Sequence, residues 1–253
     1  MPPRRSASAP SSANRVAHAA GVAIGPHTHD DGQLTLAVEG SVRIQDETGW
    51  HLATPGTAVW VPPRRRHAAS YPKSCELIRM HLPAAMSDGL PDRCALLPMS
   101  TLAVELVRRA SRLTAQDSRE LTLLNELLLI QLADRPSLAD FSVPDAKDKR
   151  VRMVTRHLRD HPASNETLAE LGTRVGTSER TLARKFQEET GLNFRQWRDR
   201  LRIVAAIERM IQGEPLTAVA IDVGYSGASS FTTAFTRLVG NSPGEYLRGL
   251  RRL

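Results

Sequence analysis

Leu168-Ala-Glu-Leu-Gly172-Thr-Arg-Val-Gly176-Thr-Ser178 and Leu216-Thr-Ala-Val-Ala220-Ile-Asp-Val-Gly224-Tyr-Ser226 are two copies of one pattern, 48 residues apart. The match continues beyond the turn, where Leu182, Phe186 and Gly191 correspond to Phe231, Phe235 and Gly240 after a one-residue insertion. Each shared feature has a steric reason in a helix-turn-helix. Gly172 and Ala220 remove bulk where the first helix meets the second. Gly176 and Gly224, four residues later, suit a sharp turn with positive φ. Ser178, and either Ser226 or Gly227, can cap the second helix of each unit. The i,i+4 pairs Leu182/Phe186 and Phe231/Phe235 pin that helix to a core and leave its other face free to enter a major groove.

Between the copies, Asn193 to Gln212 reads as one helix with Phe194, Trp197, Leu201, Val204, Ala205 and Met210 spaced for burial. Such a helix of about 20 residues spans roughly 30 Å. Successive major grooves on one side of B-DNA are separated by about 34 Å, so one chain can offer two recognition helices to neighbouring grooves.

Charge follows the same division. Of the 253 residues, 1–145 carry 15 Lys+Arg and 15 Asp+Glu, whereas 146–253 carry 19 and 12, so the whole excess of +7 lies in the C-terminal part. A neutral part joined to a basic one fits a sensor coupled to a polyanion binder; an Arg-rich solvated helical surface gives the same count. The length suits two domains. Charged residues at 24% and apolar ones at 41% exclude a wholly disordered chain, a collagen and a disulfide-stapled miniprotein. Apolar runs such as Leu127 to Ile130 fall far short of the roughly 20 residues a bilayer span needs. No apolar signal core follows Arg4 and Arg5, so the expected location is cytoplasmic, with no membrane partner.

The rest of the chain reads as follows. Residues 1–15, rich in Pro, Ser and Ala, read as a disordered tail. Over 16–83, alternating runs at Gln33–Val38, Val42–Ile44, Thr57–Val61 and Glu76–Leu82 between Gly and Pro turn signals predict an antiparallel β sandwich or barrel. Residues 84–135 read as a helical linker. Its first helix, Ser100 to Ala115, carries Leu102, Leu106, Val107, Ala110 and Leu113. Its second, capped by Ser118, is apolar around more than half its circumference from Leu121 to Leu132. That surplus apolar face points to a homodimer, the alternative being a helix fully covered within its own chain. Residues 136–147, with Pro136 and Pro144, read as a flexible linker, and 148–253 as all helical.

Residues 148–253 resemble the DNA-binding domain of the AraC/XylS family of bacterial transcription regulators. The matching stretches are Ser178–Gly191 (SERTLARKFQEETG), Ile221–Phe235 (IDVGYSGASSFTTAF) and Gly240–Tyr246 (GNSPGEY). The resemblance implies a non-enzymatic regulator of double-stranded operator DNA, with RNA polymerase as a partner if it activates. By position, the first recognition helix presents Arg180, Ala183 and Arg184 to the bases and the second Ser229, Ser230, Thr232 and Thr233. Arginine pairs bidentately with guanine, whereas short hydroxyls discriminate weakly, so the first unit is expected to dominate specificity.

The β region resembles the cupin fold. Gly21, His27-Thr-His29, Gln33 and Gly40 follow the spacing of its first signature, and Gly56, Pro62 and His67 that of its second. His27 and His29 at i,i+2 share a strand face, and a hairpin partner can bring His67 beside them. Three such imidazoles suit a transition metal, or, with Gln33, an effector pocket without metal, the remaining alternative being structural histidines. Gln33 stands where metal-binding cupins usually have Glu, Arg64 replaces the usual turn glycine, and Arg64-Arg65-Arg66 favours an anionic or polar organic effector. His18, His51 and His81 show no matching partners and read as ordinary residues, Trp50 and Trp60 as core, and Cys75 and Cys94 as reduced thiols. The expected fold class is α+β multidomain: an N-terminal cupin-like β barrel, a helical linker, and an all-α C-terminal domain with two helix-turn-helix units. A metal-dependent cupin enzyme fused to a DNA-binding module, using His27, His29 and His67 with iron or manganese, is the rival reading.

Overall fold

The computed structural model describes residues 12–114, 117–133 and 142–250. These divide into two compact units, the described parts of Met1–Asp46 with Ala53–Leu138 and of Glu47–Leu52 with Ala139–Arg252. In the first unit β1 (Ser12–His18), β8 (Cys75–Leu82), β3 (Gly32–Glu39), β6 (Thr57–Val61) and β9 (Ala95–Pro98) lie side by side in that order, every pair antiparallel. A second ladder joins β4 (Val42–Asp46), β7 (His67–Tyr71) and β2 (Val22–His27). Strand β3 is buried on both faces from Gly32 to Ala37, because alternate residues serve different layers. Leu34 and Leu36 stand opposite Met80 and Ile78 on β8 and Trp60 and Ala58 on β6. They share one apolar core with Val104 and Val107 of α1 (Thr101–Ala110) and Leu121 and Leu128 of α2 (Ser118–Ala133). Gly32 meets the Trp60 ring so closely that a Cβ would lie 2.0 Å from it. The intervening Gln33 and Thr35 stand opposite His81 and Arg79, which makes the other face of β3 polar.

The first linker helix, expected to run to Ala115, ends at Ala110, and three further boundaries differ from the sequence expectation. Ser12–Arg15, assigned to the tail, extend β1 along β8, where Arg15 pairs with Glu76 and Ala13 is buried opposite Met80; residues 1–11 lie outside those described. Ala95–Pro98, assigned to the helical linker, form β9, because this short apolar run fills the edge of β6. In the linker assigned to 136–147, Ser142–Pro144 form β10, antiparallel to β5 (Gly49–Ala53), with Val143 fully buried; residues 136–141 fall outside those described.

The second unit is otherwise helical: α3 (Lys149–Asp160), α4 (Leu168–Arg174), α5 (Glu179–Thr190), α6 (Phe194–Ile211), α7 (Leu216–Asp222), α8 (Ala228–Val239) and α9 (Pro243–Leu250). Its axis is α6, capped by Asn193 in a reciprocal box with Gln196 and buried at Trp197, Leu201, Val204 and Ile207. Trp197 meets Phe186 edge-on at 5.5 Å and donates its indole N–H to the Pro144 carbonyl at 2.8 Å, so β10 is fastened to α6. Among the described residues no helix is long and apolar enough to cross a membrane.

Candidate nucleic-acid interface and effector site

Helices α4 and α5 form the first repeat unit, α7 and α8 the second. A Cβ on Gly172 would lie 2.9 Å from the Thr177 carbonyl, which is the close approach the sequence implied. Gly176 and Gly224 both take positive φ, +69° and +93°. The Ser178 hydroxyl accepts the Thr181 N–H and caps α5; α8 starts at Gly227 with no side-chain cap. Leu182, Phe186, Phe231 and Phe235 are completely buried, which fixes the outward face of each second helix.

On that face of α5, Arg180 is exposed in the first turn and makes no ion pair among the described residues, while Ala183 is half-buried. Arg184 is exposed, but its Nη1 donates to Glu188 Oε1 at 2.6 Å, one turn on. Lys185 points away and pairs with Asp148 at the start of α3. On α8, Ser229, Ser230 and Thr233 are exposed and Thr232 half-buried. Ser230 donates its hydroxyl proton to the Gly227 carbonyl and Thr233 donates to Ser229, so these oxygens remain mainly as acceptors. The loop entering α4 is held by Glu166, which His157, Ser164 and Arg174 bind together; these bonds hold its carboxyl down at about 2.

In the first unit of the chain, the backbone N–H of Arg64, in left-handed conformation at φ +60°, donates to the His29 carbonyl at 2.8 Å. This bond ties the two cupin-like signatures together. His27 and His67 are register partners with ring centroids 4.3 Å apart, and His29 lies 4.9 Å from His67. A fourth ring joins them: His81, read from sequence as ordinary, stands opposite Gln33 on β8, 5.5 Å from His29. The cue was pairing register, which only the sheet supplies. His27, His29 and His67 each place Nδ1 against a backbone carbonyl two residues away, of Gly25, Asp31 and Arg65. A carbonyl can only accept, so each Nδ1 carries a proton, and in a neutral ring Nε2 is then the acceptor. His29 Nε2 and His67 Nε2 are buried without a hydrogen-bond partner among the described residues. Burial, followed by the neighbouring His27 and His29, lowers the His67 pKa; burial, followed by His29 and Arg79, does the same for His81. The amide N–H of Gln33 is directed at Thr35 Oγ1. Among the described residues no three His, Cys, Asp or Glu side chains are placed to share a metal ion.

A β domain with an inward polar cluster, followed by paired helix-turn-helix units, defines a ligand-sensing DNA-binding regulator. Residues 10–133 match the AraC-like ligand binding domain and residues 171–249 a helix-turn-helix domain. The HTH-type transcriptional regulator NimR of Escherichia coli (strain K12) is 30% identical over 227 residues, covering 88% of this chain and 82% of that protein. RipA of Corynebacterium glutamicum, also an HTH-type transcriptional regulator, is 34% identical over 101 residues, covering 40% of this chain and 30% of RipA. A crystal structure of unsaturated fatty acid-bound ToxT from Vibrio cholerae is 15% identical, aligned over 96% of each chain with a TM-score of 0.40. The chain belongs to the AraC/XylS family of transcription regulators.

Proposed function

We propose that this chain is a cytoplasmic one-component regulator that sets α5 and α8 into adjacent major grooves of its operator and answers to a small polar effector. The observation that carries the reading is the pair of like units mounted on α6, whose 18 residues span about 27 Å, near the groove repeat. Arg180 and Arg184 read bases from α5, with Ala183 offering a methyl-sized contact; Ser229, Ser230, Thr232 and Thr233 of α8 make shorter, less discriminating contacts. His27, His29, Gln33 and His67, joined by His81, form the effector site. In a neutral ring with Nδ1 protonated, Nε2 accepts, which suits a ligand carrying N–H or O–H donors. Binding shifts DNA affinity to the extent that the ligand prefers one arrangement of the chain.

On α2, Leu123, Leu127 and Ile130 are 57%, 40% and 64% exposed, opposite the buried Leu121, Leu128 and Leu132. This stripe supports a homodimer, and RNA polymerase is the further partner where the bound site lies beside a promoter. Selection of duplexes from a randomised library by the full-length protein, followed by footprinting, tests the reading. Protection of two successive major grooves on one face of the selected duplex is expected; equal affinity for a scrambled competitor would overturn it.

A further inference from the structure

Arg202 lies in the middle of α6 and is only 6% exposed. Its Nε donates to the Pro162 carbonyl at 3.0 Å, and Nη2 donates to the Ser164 carbonyl at 2.8 Å and to Asn165 Oδ1 at 2.9 Å. Those residues form the loop that leads into the first helix-turn-helix. On its other side the guanidinium carbon stands 5.7 Å from the Tyr225 ring centroid, in the turn of the second unit. A Cβ added to Gly224 in that turn would fall 2.7 Å from Arg202 Nη2 and 2.9 Å from Ala163 Cα. The guanidinium is thus enclosed between the entry of one unit and the turn of the other.

We infer that Arg202 is a positioning residue that fixes the orientation of α5 relative to α8, and through it the spacing of DNA segments this protein accepts. Three other polar links of α6 each reach one unit: Arg198 donates to the Glu166 carbonyl, while Asp199 pairs with Arg237 of α8 and Arg209 with Asp222 of α7. Arg202 reaches both. Its hydrogen-bond partners are neutral oxygens, so an apolar replacement of similar volume leaves three acceptors without their donor and costs some stability. What the charge adds is direction, because a planar fork of donors meets two carbonyls and an amide oxygen in only one pose.

This inference rests on the two-groove reading, and its test separates the two. The probe is the duplex selected by the wild-type full chain, lengthened or shortened by single base pairs between the segments each unit protects. One added base pair turns the second segment by about 35°, and wild type is expected to lose roughly tenfold in affinity. Arg202→Met is expected to fold with a lowered thermal midpoint, yet lose less than about threefold on the same lengthening. Arg202→Lys, with a point charge in place of the fork, should fall between them. Spin labels on Gln187→Cys and Thr236→Cys, both exposed positions of α5 and α8, should give a narrow distance distribution in the parent and a broader one with Arg202→Met. A folded Arg202→Met protein that keeps both the narrow distribution and the spacing penalty overturns the inference. If Arg202→Met does not fold, a full spacing penalty in Arg202→Lys overturns it. A wild-type protein indifferent to spacing overturns the two-groove reading and this inference with it.

Discussion

The two helix-turn-helix units are near-copies in sequence and differ in how they are held. The first is locally complete: Thr167 and Glu170 cap α4 reciprocally, Ser178 caps α5, and the turn at Gly176 has nothing within 4 Å of where a Cβ would stand. The second has no side-chain cap on α7 or α8, and its turn at Gly224 is wedged against Arg202 and Ala163. Its charged ties run to the central helix instead, from Arg237 to Asp199 and from Asp222 to Arg209. The outward faces diverge too, with Arg180 and Arg184 on α5 and only hydroxyls at the corresponding positions of α8. The comparison teaches that a repeat conserves the backbone path, while the stability and the chemistry of each copy are set separately.

The largest difference is expected at the turn glycines. Gly176→Ala meets only the strain of the left-handed region, about 1–2 kcal/mol, whereas Gly224→Ala adds the collision with Arg202 and Ala163 and should exceed about 3 kcal/mol. Amide exchange in α5 and α8 of the full chain measures both, and equal losses would dissolve the contrast. Next comes reading of DNA. Arg180→Ala should weaken binding to the selected duplex by roughly 10- to 100-fold, and Ser229→Ala by less than about threefold. An equal loss on random DNA would make Arg180 a phosphate contact. The smallest effects belong to the caps: Ser178→Ala should cost about 1 kcal/mol, while Gly227→Ser should add a few tenths of a kcal/mol to α8. Thermal midpoints of the single variants against the parent check both signs.

Much of this was legible in the sequence for physical reasons. A sharp turn needs glycine, a capped helix needs a short hydroxyl, and a helix anchored on one side repeats apolar residues every three or four positions. These are local demands, and they locate both units and α6 to within a residue or so. The histidine pair was legible only as a spacing: His27 closes β2, but His29 lies in the loop beyond it, so a shared strand face does not bring them together; the Arg64 N–H to the His29 carbonyl holds that loop beside His67. His81 was not, because its place beside His29 depends on β8 pairing with β3 in one register, and register between distant strands leaves no local mark. The edge strands β1, β9 and β10 escaped likewise: β9 and β10 have only four and three residues and β1 starts in a Ser/Ala run, and such a run becomes a strand only when a partner edge is available.

Sequence by itself therefore determined which segments are helices and turns, how many units there are, and which part of the chain carries the basic charge, since all of these follow from the preferences of residues close together in the chain. Tertiary structure alone decided that four imidazoles meet and that Arg202 bridges both units. Each of those outcomes depends on which groups are left to share a volume once water is excluded, and that is settled only when the whole chain has folded around them.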